Sequence, residues 1–211
     1  MKRSEQFWDN MSGSYDEKAK DKTFKVLLEK TIKYLQQDDV VLDFGCATGL
    51  YSFEFADKVM EIHAFDTAPK MIEKAKHRAK KEKFENISFS CAGIFDDTFK
   101  SGTFEVILAF NVLLYFKDPY EVINRIFDLL KPGGILISST ACINEVRNPI
   151  ALFSKSIIYL LKKLRILPDI HFLRTNDLER MISDVGFKIE EASEILKLPA
   201  TEYFIAANKG L

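Results

Sequence analysis

Residues 40–49, Val40-Val41-Leu42-Asp43-Phe44-Gly45-Cys46-Ala47-Thr48-Gly49, decide the fold. A short apolar run follows the acidic pair Asp38-Asp39 and stops at a glycine, the pattern of a parallel strand buried on both faces. Working back, Phe24, Leu27, Leu28, Ile32, Tyr34 and Leu35 mostly recur at helical spacing and predict an amphipathic helix over 23–37. Working forward, a helix is expected over 49–58 and a strand over 59–65 ending at Asp66. A lysine-rich helix follows over 69–83, with Pro69 at its first turn, where a missing N–H costs nothing. Strands at 86–92, 104–110 and 135–139 follow, with a helix over 120–130 and the turn Lys131-Pro132-Gly133-Gly134 between the last two. Strands alternating with helices in this way predict a doubly wound α/β sheet.

The C-terminal part breaks that rhythm. Thr175-Asn176-Asp177 offers N-cap chemistry for a helix over 175–185, and Gly186 closes it as a C-cap. Strands over 188–195 and 202–208, joined by a segment containing Pro199, read as an antiparallel hairpin. The expectation is therefore a seven-stranded, mostly parallel sheet in a single domain, 1–211, with 1–37 as a helical cap and 144–172 as a helical insertion or lid. The chain has 211 residues, 30 Lys plus Arg against 31 Asp plus Glu, and 47% hydrophobic residues. A net charge of -1 speaks against a dedicated nucleic-acid surface. The opening residues hold charge and no apolar run, so no secretory or lipidation signal is read and a cytoplasmic location is expected. Cys46, Cys91 and Cys142 are too far apart for a metal knuckle and odd in number for a disulfide framework.

In an open α/β sheet, ligands bind beyond the carboxyl ends of the strands, where glycine admits a close approach. The G-x-x-x-G of Gly45 and Gly49 lies at such a place, with Asp43 two residues before it. Asp66, at the end of the second strand, can accept hydrogen bonds from both hydroxyls of a ribose. Two carboxylates flanking a glycine turn suit a nucleoside whose other half carries an ammonium group. A plain strand-to-helix turn is the alternative, because isolated glycine motifs are weak.

Four segments in order, VVLDFGCATG, AFDTAPKMIEKAK, GTFEVILAFNVLLYFKDP and IFDLLKPGGILI, resemble those of the class I S-adenosylmethionine-dependent methyltransferases, close to the small-molecule, ubiquinone/menaquinone-type subgroup. The resemblance runs from about Trp8 to Lys209. It implies a Rossmann-like methyltransferase fold, S-adenosylmethionine as cofactor with S-adenosylhomocysteine as product, no metal, and a small-molecule acceptor. It further implies that Gly45, Cys46 and Gly49 line the methionine portion with Asp43 near its ammonium group. Asp66 would hold the ribose, Thr67 and Met71 would border the adenosine, and Phe110 and Asn111 would contact the methionine end. Tyr15 would belong to an N-terminal segment that closes over the cofactor.

Two positions depart from the family pattern. Ala47 replaces its middle glycine, at a backbone angle expected to be tolerable for alanine. The family's adenine-reading aspartate falls on Gly93, so adenine recognition would rest on the backbone of Gly93 and Ile94 or on Asp96, with weaker affinity expected. Methyl transfer from a sulfonium is a direct displacement that needs alignment more than a protein nucleophile. A base helps a hydroxyl or carbon acid. Where the family often has histidine, this chain has Leu114 and Tyr115; Tyr115 is the first candidate for touching the acceptor, ahead of His171 and Asp118. His63 and His77 read as structural or solvated.

Other chemistries lack their residues. There is no Pro-Pro-aromatic motif after the fourth strand, no Pro-Cys dipeptide and no H-x-x-x-H zinc spacing. The lysines at 74–83 read as a solvated face rather than an RNA contact. A nicotinamide G-x-G-x-x-G would need glycine at Ala47 and Leu50. A non-catalytic binding protein on the same fold is the other alternative. Residues 149–168 place Ile150, Phe153, Ile157, Leu160, Leu161 and Leu164 on one face interrupted by Lys155, Lys162, Lys163 and Arg165. That segment is too charged to span a membrane; it would serve as a lid, a peripheral membrane contact, or a helix packed on the core or on a second subunit.

Overall fold

The computed structural model describes residues 3–145, 149–164, 167–197 and 200–211, without the side chains of Arg3 and of residues 149–155. The chain begins with α1 (Arg3–Met11), a 3-10 turn (Ser12–Ser14), α2 (Tyr15–Ala19) and α3 (Lys22–Ile32). Then come β1 (Val40–Phe44), α4 (Leu50–Phe55), β2 (Glu61–Asp66), α5 (Pro69–Glu82), β3 (Ile87–Cys91) and β4 (Phe104–Phe110). The remainder is α6 (Pro119–Leu129), β5 (Leu130–Cys142), α7 (Pro149–Lys163), α8 (Thr175–Val185), β6 (Lys188–Leu196) and β7 (Thr201–Asn208).

Among the described residues the seven strands form one sheet in the order β3-β2-β1-β4-β5-β7-β6. β7 pairs antiparallel with both β5 and β6, and the other pairings are parallel. The doubly wound sheet with a terminal hairpin is thus the observed architecture. In β1, Leu42 and Phe44 join Phe65, Ile107 and the α6 and α8 residues Ile123, Ile126 and Ile182 on one face. Val41 joins Ile62, Leu108, Ile137 and the α5 residues Ile72 and Ala75 on the other. Both faces of β1 are buried, which is why its sequence shows a continuous apolar run rather than an alternation.

Element ends differ from expectation for local reasons. Gly49 stands at φ +79 as the N-cap of α4, so the helix starts one residue later. α3 stops at Ile32, with Tyr34 and Leu35 in a turn in which the Tyr34 N–H reaches Thr31 O at 3.0 Å. β5 runs beyond the expected 135–139 because its end, through Cys142, pairs with the start of β7 at Thr201. α8 has the expected bounds and the left-handed Gly186 cap, yet its N-cap position is Arg174. Its first turn is held by Glu145, whose carboxylate accepts the Thr175 N–H at 3.2 Å and hydroxyl at 3.1 Å. Pro199 lies outside the described residues.

The strand order reverses between β1, whose chain moves off to β2, and β4, whose chain moves off to β5. Such a switch point opens a crevice at the carboxyl ends of the strands. Among the described residues no helix is long and apolar enough to cross a membrane.

Candidate functional site

A cleft of about 360 Å³ occupies that crevice, bordered by Phe44 and Gly45 beyond β1, Asp66 and Thr67 beyond β2, and Phe110 and Asn111 beyond β4. Its size lies in the range of small-molecule sites, roughly 300–1,000 Å³. The floor is the glycine turn, pinned to β2 because the N–H groups of Gly45 and Cys46 both donate to Phe65 O, at 2.9 and 3.0 Å. Gly45 has φ +72, and a β-carbon there would stand 2.7 Å from Val112 Cγ2. Ala47 departs from the expected tolerable angle: its φ is +49, in the left-handed region, where an L-residue is strained by about 1–2 kcal/mol.

The Ala47 N–H donates to Asp66 Oδ2 at 3.0 Å, and the Ala68 N–H donates to Asp66 Oδ1 at 2.8 Å. Each carboxylate oxygen can accept again. Burial raises the Asp66 pKa while these backbone donors oppose the rise. Beneath the turn, Asp43 is fully buried and accepts the Ser52 hydroxyl; burial pushes its carboxyl up to about 6, against the lowering effect of Ser52. Among the described residues neither carboxylate takes part in an ion pair. The result is one carboxylate on the wall, Asp66, with a second beneath the turn, Asp43, a pairing that favours a cation between the turn and β2 although Lys117 also borders the cleft.

The N-terminal segment forms the opposite side. Trp8 meets Tyr15 edge-on at 6.1 Å and Tyr115 edge-on at 5.6 Å between ring centroids. Three contacts tie the segment down: Asp9 Oδ1 accepts the Lys70 N–H at 2.9 Å, Lys74 Nζ donates to Ser12 O at 2.6 Å, and the Thr48 hydroxyl donates to Asp16 Oδ1 at 2.5 Å. Burial pushes the phenols of Tyr15 and Tyr115 well above the usual tyrosine range, so both stay protonated. Met71 is fully buried and closes the wall beside Ala47 and Ala68.

Of the residues singled out from the sequence, Tyr15, Gly45, Asp66, Thr67, Met71, Phe110, Asn111 and Tyr115 border the cleft. Asp43, Cys46 and Gly49 do not, although all three sit in or directly under the turn. Gly93 and Ile94 also lie off the wall. Ile94 is a core residue, and Asp96 is engaged with the N–H and hydroxyl of Thr98. Trp8, Val112 and Phe116 border the cleft without having been expected there. The signal for Trp8 was its standing as the one tryptophan.

The remaining candidates lie elsewhere. Asp118 caps α6 by accepting the Tyr120 and Glu121 N–H groups. The His171 N–H donates to Leu114 O at 2.7 Å, and its ring pKa is lowered by burial and by Lys162. His63 contacts Ser88 and Glu61, and His77 is exposed. Among the described residues no group of His, Cys, Asp and Glu could hold a metal ion. On α7, Ile157, Tyr159 and Leu160 are exposed, as is Leu164 just past its end, and none borders the cleft. The side chains of Ile150, Phe153 and Lys155, and all of Arg165, lie outside the described residues.

A family model described as "Methyltransferase domain" matches residues 35–195. The chain is 32% identical over 114 residues to a ubiquinone biosynthesis O-methyltransferase of Coxiella burnetii, a match covering 52% of this chain and 48% of that protein. The chain thus spans about half the length of that curated relative. Among solved structures, a SAM-dependent methyltransferase from Methanosarcina mazei superposes with a TM-score of 0.69 at 21% identity, over 85% of this chain and 96% of that one. A geranyl diphosphate C-methyltransferase from Streptomyces coelicolor, solved with S-adenosyl-L-homocysteine, superposes with a TM-score of 0.70 at 12% identity, over 88% of this chain and 78% of that one.

Proposed function

Because the chain belongs to the class I S-adenosylmethionine-dependent methyltransferases, we propose that it methylates a small, largely apolar, quinone-like molecule. The observation that carries this reading is the Asp66 carboxylate on the wall of the switch-point cleft. It is held by two backbone donors, has acceptor capacity to spare, and takes part in no ion pair among the described residues. Those residues fit the cofactor: Asp66 takes the ribose hydroxyls, Met71 and Thr67 flank the base, and the Gly45 turn with Asn111 receives the methionine end. The paired negative charges of Asp43 and Asp66 favour a sulfonium and an ammonium group. S-adenosylmethionine would supply the methyl group on its sulfonium.

The chain's own part is alignment and exclusion of water. Trp8, Tyr15 and Tyr115 wall the opening of the cleft with rings, which keeps water from the bound sulfonium, and the aromatic surroundings suit a flat apolar acceptor entering beside it. Tyr115, kept protonated by burial, serves as a donor rather than a base. The name of the Coxiella relative points the same way, toward a quinone precursor.

Thermal-shift titration with S-adenosylhomocysteine, S-adenosylmethionine, NAD and NADP tests the reading. A ligand at 100 times its dissociation constant stabilises by roughly 2.7 kcal/mol, and a shift with the first two alone is expected. Asp66→Ala should abolish it. No shift with any of the four would overturn the cofactor assignment and leave a non-catalytic binding protein as the reading to pursue.

A further inference from the structure

A second cavity, of about 310 Å³, adjoins the first and shares Tyr15, Phe110 and Asn111 with it. It sits over the rim where β5 and the start of β7 pair, Ala141 opposite Glu202. One wall is aromatic: the Tyr51 ring lies against Phe110 with centroids 4.6 Å apart. Glu202, which is 8% exposed, also lines the cavity. Its Oε1 accepts Asn111 Nδ2 at 2.9 Å and also the Ser139 hydroxyl. Asn111 is held in turn, since its Oδ1 accepts the Ala141 N–H at 3.0 Å and its own N–H donates to Ser139 O at 2.7 Å. Among the described residues Glu202 Oε2 takes no hydrogen bond, and it is not sealed from the cavity.

A buried carboxylate with one oxygen fixed and the other open is costly until a donor meets it. No lysine or arginine among the described residues pairs with it. The titratable groups around it are Asp21 ahead of α3, Tyr51 on α4, Tyr115 after β4 and Cys142 on β5. None of these is a cation and none donates to Oε2, and the Tyr51–Phe110 wall favours a donor carried on a flat apolar ring. From this geometry we infer that the second cavity holds the methyl acceptor, a phenol, and that Glu202 Oε2 receives its hydroxyl and takes its proton. The inference rests on the methyltransferase reading above. As the phenolic oxygen bonds to the methyl carbon, the carbon–sulfur bond breaks with its electron pair passing to sulfur. The phenolic proton moves to Glu202 and is later lost to solvent. Burial raises the Glu202 pKa above the ordinary carboxylate value, the Ser139 and Asn111 hydrogen bonds oppose it and the Asp21 charge adds to it, which is the direction a base needs.

Glu202→Gln is the discriminating variant, because glutamine still offers an oxygen to Asn111 and Ser139 while losing the base. Three quantities are measured on wild type and variant: S-adenosylhomocysteine affinity by calorimetry, catechol affinity for the S-adenosylhomocysteine-saturated protein, and methyl transfer to catechol between pH 5 and 9. The expected result is S-adenosylhomocysteine affinity within about twofold, catechol binding weakened at least tenfold, and turnover reduced at least 100-fold. The wild-type rate should rise with pH as Glu202 loses its proton, and that limb should vanish in the variant. Wild type that binds S-adenosylhomocysteine but neither binds nor methylates catechol overturns the phenol assignment. A variant that loses S-adenosylhomocysteine instead of catechol makes Glu202 a cofactor ligand and overturns the base. Failure of wild type to bind S-adenosylhomocysteine overturns the cofactor reading itself, and the inference with it.

Discussion

The Asp9 carboxylate on α1 accepts the Lys70 N–H in the first turn of α5 at 2.9 Å, across 61 residues of sequence. Ala68, the N-cap position of α5, has no side-chain oxygen to offer, so the cap comes from the segment that walls the cleft. Asp9→Ala should therefore cost about 1 kcal/mol, within the roughly 0.5–2 kcal/mol of a lost cap, and should weaken S-adenosylhomocysteine binding by loosening Trp8 and Tyr15. Asp9→Asn should recover most of both. Urea denaturation and calorimetry on the pair decide it; an Asp9→Ala protein with unchanged affinity would mean the segment does not close the site.

The glycine turn makes opposite predictions at neighbouring positions. At Gly49, φ is +79 and an added β-carbon would stand 2.7 Å from the Phe89 ring. Strain of about 1–2 kcal/mol from the backbone adds to about 1–3 kcal/mol from overpacking, so Gly49→Ala should destabilise by about 2–5 kcal/mol. At Ala47 the strain is already present, and Ala47→Gly should be stabilising or neutral, by up to about 1 kcal/mol. Denaturant midpoints with unchanged slopes are the measurement. A destabilised Ala47→Gly protein would show that the methyl group's packing beside Met71 outweighs the relieved angle.

Asp43 gives a stability with a defined pH sign. Its folded pKa is about 6, above the unfolded value of about 3.9, so the folded state holds the proton more tightly. The stability this confers is complete below pH 4 and is lost as pH rises to 6, by about 2–3 kcal/mol at 1.36 kcal/mol per unit. Asparagine keeps an acceptor for Ser52 and cannot titrate. Relative to wild type, Asp43→Asn should gain that much stability between pH 4 and pH 7. Parallel stability curves for the two proteins across this window would show that the Asp43 proton is not linked to folding.

What the sequence made legible was local. β4 has its expected bounds because Phe104–Phe110 is apolar and buried along most of its length. α8 has its expected bounds because a periodic apolar face meets a glycine stop. The glycine turn and Asp66 were readable as a motif of fixed spacing. The hidden parts depend on contacts far along the chain. Asp9 caps a helix 61 residues away, and Glu202 meets Asn111 across 91 residues. Glu145 caps α8 from 30 residues upstream, although Thr175-Asn176-Asp177 had looked sufficient by itself. Glu202 in particular sits in a strand of buried residues, where its sequence context marks a sheet position and nothing more.

Gly93 offers the last test, because there the chain departs from the pattern it otherwise resembles. The Ala92 N–H donates to Asp66 O at 3.2 Å, which sets Gly93 next to the strand end that carries Asp66. No atom lies within 4 Å of where its β-carbon would stand, and its backbone is outside the left-handed region. A side chain should therefore be accepted there with a stability change within about 0.5 kcal/mol, as at an ordinary surface position. If adenine lies beside this loop, Gly93→Asp supplies the acceptor that the resemblance places at this position. One hydrogen bond to a charged group is worth about 1.5 kcal/mol, so S-adenosylhomocysteine should bind about tenfold more tightly. Gly93→Ala is the control, equal in backbone effect and without the carboxylate. An aspartate variant that binds no better than the alanine one would place the adenine away from β3, on the Met71 side of the cleft.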